Sequence, residues 1–144
     1  MKLYECINFQ LNNVHNAVFS YFKAMLAPYD VTPIQYALLK CLWEEDMQPP
    51  TQLAQALQLD ASTVSGHIDR LEKKQLIERV YNTQDRRSIY VHLLESGAAL
   101  QSPIEDAIQK ANKEVTAGIS PEDLATFKKQ LKMIENNAKA GKPM

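Results

Sequence analysis

Every arginine of this 144-residue chain (Arg70, Arg79, Arg86 and Arg87) falls between positions 70 and 87. A guanidinium is a planar fork of donors that matches phosphate oxygens and the O6/N7 edge of guanine better than a lysine's point charge does. The formal net charge of −1 hides this segregation. Residues 62–94 carry six bases against four acids, and residues 32–61 carry one against four. The two ends are balanced, with two of each sign in residues 1–31 and seven of each in residues 95–144. Local ion pairing would also gather arginines, so the elements that carry them decide the reading.

Other chemistries find little footing. His15, His67 and His92 show no ligand spacing with one another or with Cys6 and Cys41, so no metal and no cofactor is expected. There is no glycine-rich phosphate loop, no G-x-S-x-G and no H-E-x-x-H, and the paired acids Glu44-Glu45 and Glu105-Asp106 read as solvated helix ends. An enzyme is not expected. The charged fraction of 23% and apolar fraction of 45% suit a folded chain that buries a core. No apolar run approaches a spanning helix and no signal-peptide layout is present, which predicts a cytoplasmic protein without a membrane partner.

The elements that position the arginines follow from apolar spacing and punctuation. Tyr4, Ile7, Leu11, Val14, Val18, Tyr21 and Met25 recur at steps of three and four, a seam on one long helix ending before Pro28. Such a seam wants a partner helix, in this chain or in a second copy. Thr32, Pro33 and Gln35 form a capping box with proline at the first helical position, and Ile34, Ala37, Leu38, Cys41 and Leu42 supply a buried face beside Trp43. Pro49 and Pro50 end that unit. A short helix from Thr51 to Leu57 buries Leu53, Ala54 and Leu57. After a turn at Gln58-Leu59, Asp60 caps a helix running to Lys74, with Val64, Ile68 and Leu71 inward.

Two short helices joined by a tight turn, the second presenting small polar residues and an arginine, make a helix-turn-helix. The segments 76–81 and 89–93 read as strands around the polar turn Asn82-Thr83-Gln84-Asp85-Arg86-Arg87. A helix-turn-helix followed by such a hairpin is a winged helix, whose arginine-tipped turn suits the negative potential of a minor groove. From Ser96 the chain is helical again through Leu100, Ile104, Ile108, Ala111 and Val115, with Pro103 kinking or interrupting its start. Ser120-Pro121 opens a last helix with Leu124, Phe127, Leu131 and Ile134 in register.

The fold predicted is mainly α (α+β): a winged helix-turn-helix with a two-stranded wing, flanked by dimerisation helices at both ends. Residues 1–31 form the N-terminal dimerisation helix, 32–95 the DNA-binding domain and 96–144 the C-terminal dimerisation helices, one intertwined unit. A two-fold dimer would offer two recognition helices to successive major grooves about 34 Å apart.

These residues also resemble the MarR family of winged-helix transcriptional regulators over nearly the whole chain. The wing signature, aspartate, any residue, arginine, five residues and leucine, reads Asp85-Arg86-Arg87-Ser88-Ile89-Tyr90-Val91-His92-Leu93, followed by Glu95 and Gly97. Ser62-Thr63-Val64-Ser65 and Asp69-Arg70-Leu71-Glu72 match the recognition helix, and Leu76-Ile77-Glu78-Arg79 its exit into the wing. The resemblance implies a homodimer bound to a pseudo-palindromic operator in double-stranded DNA. It places Ser62, Thr63, Ser65 and His67 toward the major groove, Arg70 on phosphate or on Asp85, and Arg87 in the minor groove beside Arg86. Asp85 would brace the wing by pairing with arginine. Gly66, Gln75 and Leu94 depart from the family pattern, replacing a larger residue, a turn glycine and a capping threonine.

The output expected is repression relieved by a small aromatic or phenolic ligand, with Tyr21, Phe22, Tyr29, Tyr36 and Trp43 as candidate lining residues. Relatives that sense organic hydroperoxides use a cysteine on the first helix, which makes Cys6 the alternative switch. In those sensors a tyrosine precedes the helix-starting proline, and here Thr32 stands before Pro33. The rival from another class is a winged-helix dimer that binds protein, which has no clear need for an arginine-tipped wing.

Overall fold

The computed structural model describes residues 1–82, 84–85 and 88–141 and divides into two units, Met1–Ala111 and Asn112–Met144. The first opens with a 3-10 turn, Leu3–Glu5, followed by helix α1, Ile7–Leu26. Cys6 is extended (φ −70°, ψ 123°) and stands at the N-cap, so α1 begins after Tyr4 and the first seam residue is left outside the helix. The seam is open: Ile7 is 54% and Val14 56% exposed, while Leu26, one position off it, is buried.

Helix α2, Pro33–Glu44, starts as the capping box dictates. Thr32 Oγ1 accepts the Gln35 N–H and Gln35 Oε1 accepts the Thr32 N–H, each at 3.2 Å. Its buried face differs from the one expected. Gln35, Leu38, Leu39 and Leu42 are buried, whereas Ile34, Ala37 and Cys41 are half-buried. A glutamine can face inward because its amide is satisfied: Oε1 also accepts from Lys74 Nζ at 2.9 Å. Pro50 begins helix α3, Pro50–Leu57, rather than ending the preceding unit. Its missing N–H falls where the helix has no use for one. Just before it, Gln48 bridges to Val91, its carbonyl accepting the Val91 N–H at 2.8 Å.

Gln58, left-handed at φ 55°, turns the chain into helix α4, Ala61–Lys73. Val64, Ile68 and Leu71 are buried at i, i+4 and i+7, as the spacing predicts. Strands β1, Ile77–Tyr81, and β2, Ile89–Leu93, pair antiparallel from Ile77↔Leu93 to Tyr81↔Ile89. Helix α5, Glu95–Ala99, stops at Leu100, and helix α6, Gln101–Val115, carries Pro103 in its first turn. The proline therefore divides the predicted helix rather than bending it. Leu94 caps α5 with no side-chain bond. The core of this unit joins Leu38 and Leu42 of α2, Leu53 of α3, Ile68 of α4, Val91 of β2 and Ile104 of α6.

In the second unit, the end of α6 passes through a turn with Gly118 at φ 88°. Ser120 Oγ then accepts the Asp123 N–H at 3.1 Å to start helix α7, Pro121–Ala140. None of the α7 residues is buried, and Phe127 and Leu131 of its apolar seam are 46% and 36% exposed.

Candidate nucleic-acid interface

Helix α4 is built to show one face. Asp60 Oδ1 accepts the Thr63 N–H at 2.7 Å, satisfying an orphan donor of the first turn, and also the Ser62 hydroxyl at 2.8 Å. These bonds, the Thr63 backbone first, hold the Asp60 carboxyl below the usual carboxylate range. With Val64, Ile68 and Leu71 inward, Ser62, Thr63 and Arg70 are exposed, and Ser65, Gly66 and His67 are half-buried along the remaining surface. Gly66 has open space where a Cβ would stand.

Two of the polar residues on this helix already hold each other. Arg70 lies 3.2 Å from His67 Nδ1. Burial, and secondarily the charge of Arg70, lowers the His67 pKa. Asp85 is exposed; its carbonyl accepts the Ser88 N–H at 2.9 Å and its carboxylate the Ser88 hydroxyl at 3.2 Å. Arg86 and Arg87 lie outside the described residues.

Arg79 serves a different purpose from the groove contact its place in the arginine cluster suggests. From β1 it reaches back to α4, pairing with Asp69 Oδ1 at 2.7 Å and with Glu72, and donating to the Ser65 hydroxyl at 3.2 Å. Its pKa is raised because the hydrogen bonds and charges of Asp69 and Glu72 outweigh its burial. Half-buried Ser65 is therefore tied to the wing strand.

The far edge of the wing is buttressed by residues that local patterns did not single out. Asp46 Oδ1 accepts the Leu93 N–H and its Oδ2 meets His92 Nδ1, both at 2.8 Å. Buried Gln48 donates to the carbonyls of Cys41 and Glu45 at 2.9 and 2.6 Å. Lys74, just past α4, meets the Asp30 carbonyl and Gln35. Nothing in the local spacing singles out Asp46, Gln48 or Lys74 for these contacts, and Gln35 stood out only as a member of the capping box.

The aromatic candidates are dispersed. Tyr29 lines a cavity of about 500 Å³ with Met25, Pro28, Pro103 and Lys110. Phe22 lines another, of about 230 Å³, with His15, Phe19 and Pro33. Tyr36 and Trp43 meet at a ring separation of 6.2 Å on α2, and Trp43 Nε1 donates to the Gly97 carbonyl at 3.0 Å. Burial pushes the Tyr36 hydroxyl up. Tyr21 is half-buried on α1. Cys6 is half-buried at the α1 N-cap, and burial, then the charge of Glu44, raises the Cys41 thiol. Among the described residues no group of three His, Cys, Asp or Glu could hold a metal, and no helix is long and apolar enough to cross a membrane.

The sequence profile of the MarR family matches residues 31–89, from the start of α2 into β2. The chain is 32% identical over 114 residues to the multiple antibiotic resistance protein MarR of Salmonella typhimurium, covering 76% of each chain. It is 30% identical over 106 residues to the organic hydroperoxide resistance transcriptional regulator of Bacillus subtilis, covering 74% of this chain and 72% of that one. Among solved structures, a mutant of Escherichia coli MarR complexed with operator DNA superposes with a TM-score of 0.83 at 25% identity, over 93% of this chain and 99% of that one. A winged helix with a capped, outward-facing recognition helix, matched along most of its length by these regulators, has one family reading: the chain belongs to the MarR family of DNA-binding transcriptional regulators.

Proposed function

We propose that the chain is a homodimeric cytoplasmic repressor that holds a pseudo-palindromic operator and lets go when a small aromatic or phenolic ligand binds. The observation that carries this reading is the division of labour among the helices. Helix α4 turns Ser62, Thr63, His67 and Arg70 outward beside the wing, while α1 and α7 leave apolar seams uncovered at Ile7, Val14, Phe127 and Leu131. Residues 1–31 and 96–144 would build the dimer, and residues 32–95 would meet DNA with Ser65, Asp85, Arg86 and Arg87 completing the surface. A ligand would act by favouring a spacing of the two recognition helices that misfits successive grooves.

Footprinting upstream of its own gene, with sedimentation to define the oligomer, tests the reading. Operator affinity should fall steeply with salt as phosphate contacts release counterions. Arg87→Ala should weaken binding by roughly 1–3 kcal/mol if the side chain enters a groove. A salt-insensitive complex, or a partner protein in place of DNA, would favour an interaction module.

Oxidation of Cys6 is the second reading, favoured by its half-buried place at the α1 N-cap and by the hydroperoxide-resistance regulator among the relatives. A Cys6→Ser variant that still releases DNA under mild peroxide would eliminate it.

A further inference from the structure

We propose that His67 is a specificity-determining residue: Arg70 holds its ring as the neutral Nε2–H tautomer, and that N–H reads an acceptor atom on one base edge in each half-site. The inference rests on the reading that α4 enters the major groove.

The tautomer follows from donor chemistry. A guanidinium carries only N–H donors, so the 3.2 Å contact between Arg70 and His67 Nδ1 is a hydrogen bond only if that nitrogen offers its lone pair. The proton of the neutral ring then sits on Nε2. Protonating Nδ1 would break the bond and set two cations against each other. The lowered His67 pKa, from burial first and Arg70 second, agrees with this.

The placement follows from helix geometry. Thr63, His67 and Arg70 stand at i, i+4 and i+7, a stripe about 100° round the helix from buried Val64, Ile68 and Leu71, with His67 half-buried between the two. Gly66 beside them has nothing within 4 Å of where its Cβ would be, so no side chain from that position screens the ring. A lone N–H donor can bond guanine O6 or N7, adenine N7 or thymine O4, but finds only an amino donor on cytosine. His67 therefore discriminates against cytosine on the strand it faces.

Two measurements on the full-length protein test this. Nitrogen-15 spectra of the free protein should show His67 Nδ1 unprotonated and Nε2 protonated near neutral pH, with the preference falling back toward that of a free histidine side chain in Arg70→Ala. A protonated Nδ1, or an unchanged preference in that variant, would overturn the Arg70 assignment. Operator variants covering every base pair are then titrated with wild type and His67→Ala. Wild type should disfavour cytosine at one position per half-site by roughly five- to tenfold, and His67→Ala should lose that preference there and nowhere else. Identical profiles for the two proteins would overturn the base contact. If neither protein forms a sequence-specific complex, the groove reading fails and the base contact with it, whereas the spectra judge the tautomer alone.

Discussion

Arg79 on the first wing strand and Asp69 on the recognition helix are joined by a 2.7 Å ion pair. Glu72 closes on the same guanidinium, which also bonds Ser65. The wing is thereby anchored to α4. Arg79→Ala should destabilise the fold by about 1.5–3 kcal/mol, the range for hydrogen bonds to charged groups. On the reading that α4 meets DNA, operator affinity should fall as well, because Asp69 and Glu72 lose the cation that neutralises them. Arg79→Lys should recover little, since an ammonium cannot reproduce the fork. Urea unfolding together with operator titration checks this, and full recovery by lysine would contradict it.

Gly97 admits no side chain. A Cβ there would stand 2.3 Å from the Leu76 carbonyl and 2.9 Å from Leu93 Cδ1. Gly97→Ala should cost about 1–3 kcal/mol, typical of overpacking, read as a lower thermal midpoint. A midpoint equal to wild type would show that the backbone yields without penalty.

Gly66 and Gln75 reverse the usual placement. The glycine lies inside α4 with open space around it, and the glutamine is left-handed at φ 61°. Gly66→Ala should raise stability by roughly 0.5–1 kcal/mol through helix propensity. Gln75→Gly should relieve left-handed strain of about 1–2 kcal/mol, offset in part by the greater unfolded-state freedom of glycine. Calorimetry on the single and double variants decides both signs, and the effects should add.

Asp60 links the recognition helix to pH. Its carboxyl is depressed in the fold by the bonds from Thr63 and Ser62. Its stabilisation is fully present above the unfolded value, about 3.9, and is lost as pH falls through the lower folded value. Asp60→Asn should therefore melt below wild type at pH 7 and converge with it once acid has protonated the carboxylate in the fold. A gap that persists there would mean the negative charge is not what stabilises the helix start.

Local order was legible wherever it depended on neighbours in the chain. The Thr32–Gln35 box, the Asp60 cap, the inward triplet Val64, Ile68 and Leu71, and the two wing strands all follow from spacing within one or two turns. Leu39 and Gln35 were not read as core, because a helix with apolar residues on several sides can be rotated onto its neighbours in more than one way. That choice was made by the packing that buries Leu38, Leu39 and Leu42, and Lys74 meets the inward Gln35 from 39 positions away.

The same division runs through the functional surface. The sequence by itself determined that a capped helix followed by two paired strands would form and that all four arginines fall within this stretch of chain, since these depend on local spacing and composition. Only the tertiary structure decided how two of them are used. Arg79 turns inward to two carboxylates and Arg70 turns to His67, because a side chain's partner is set by which charges packing brings within hydrogen-bond reach.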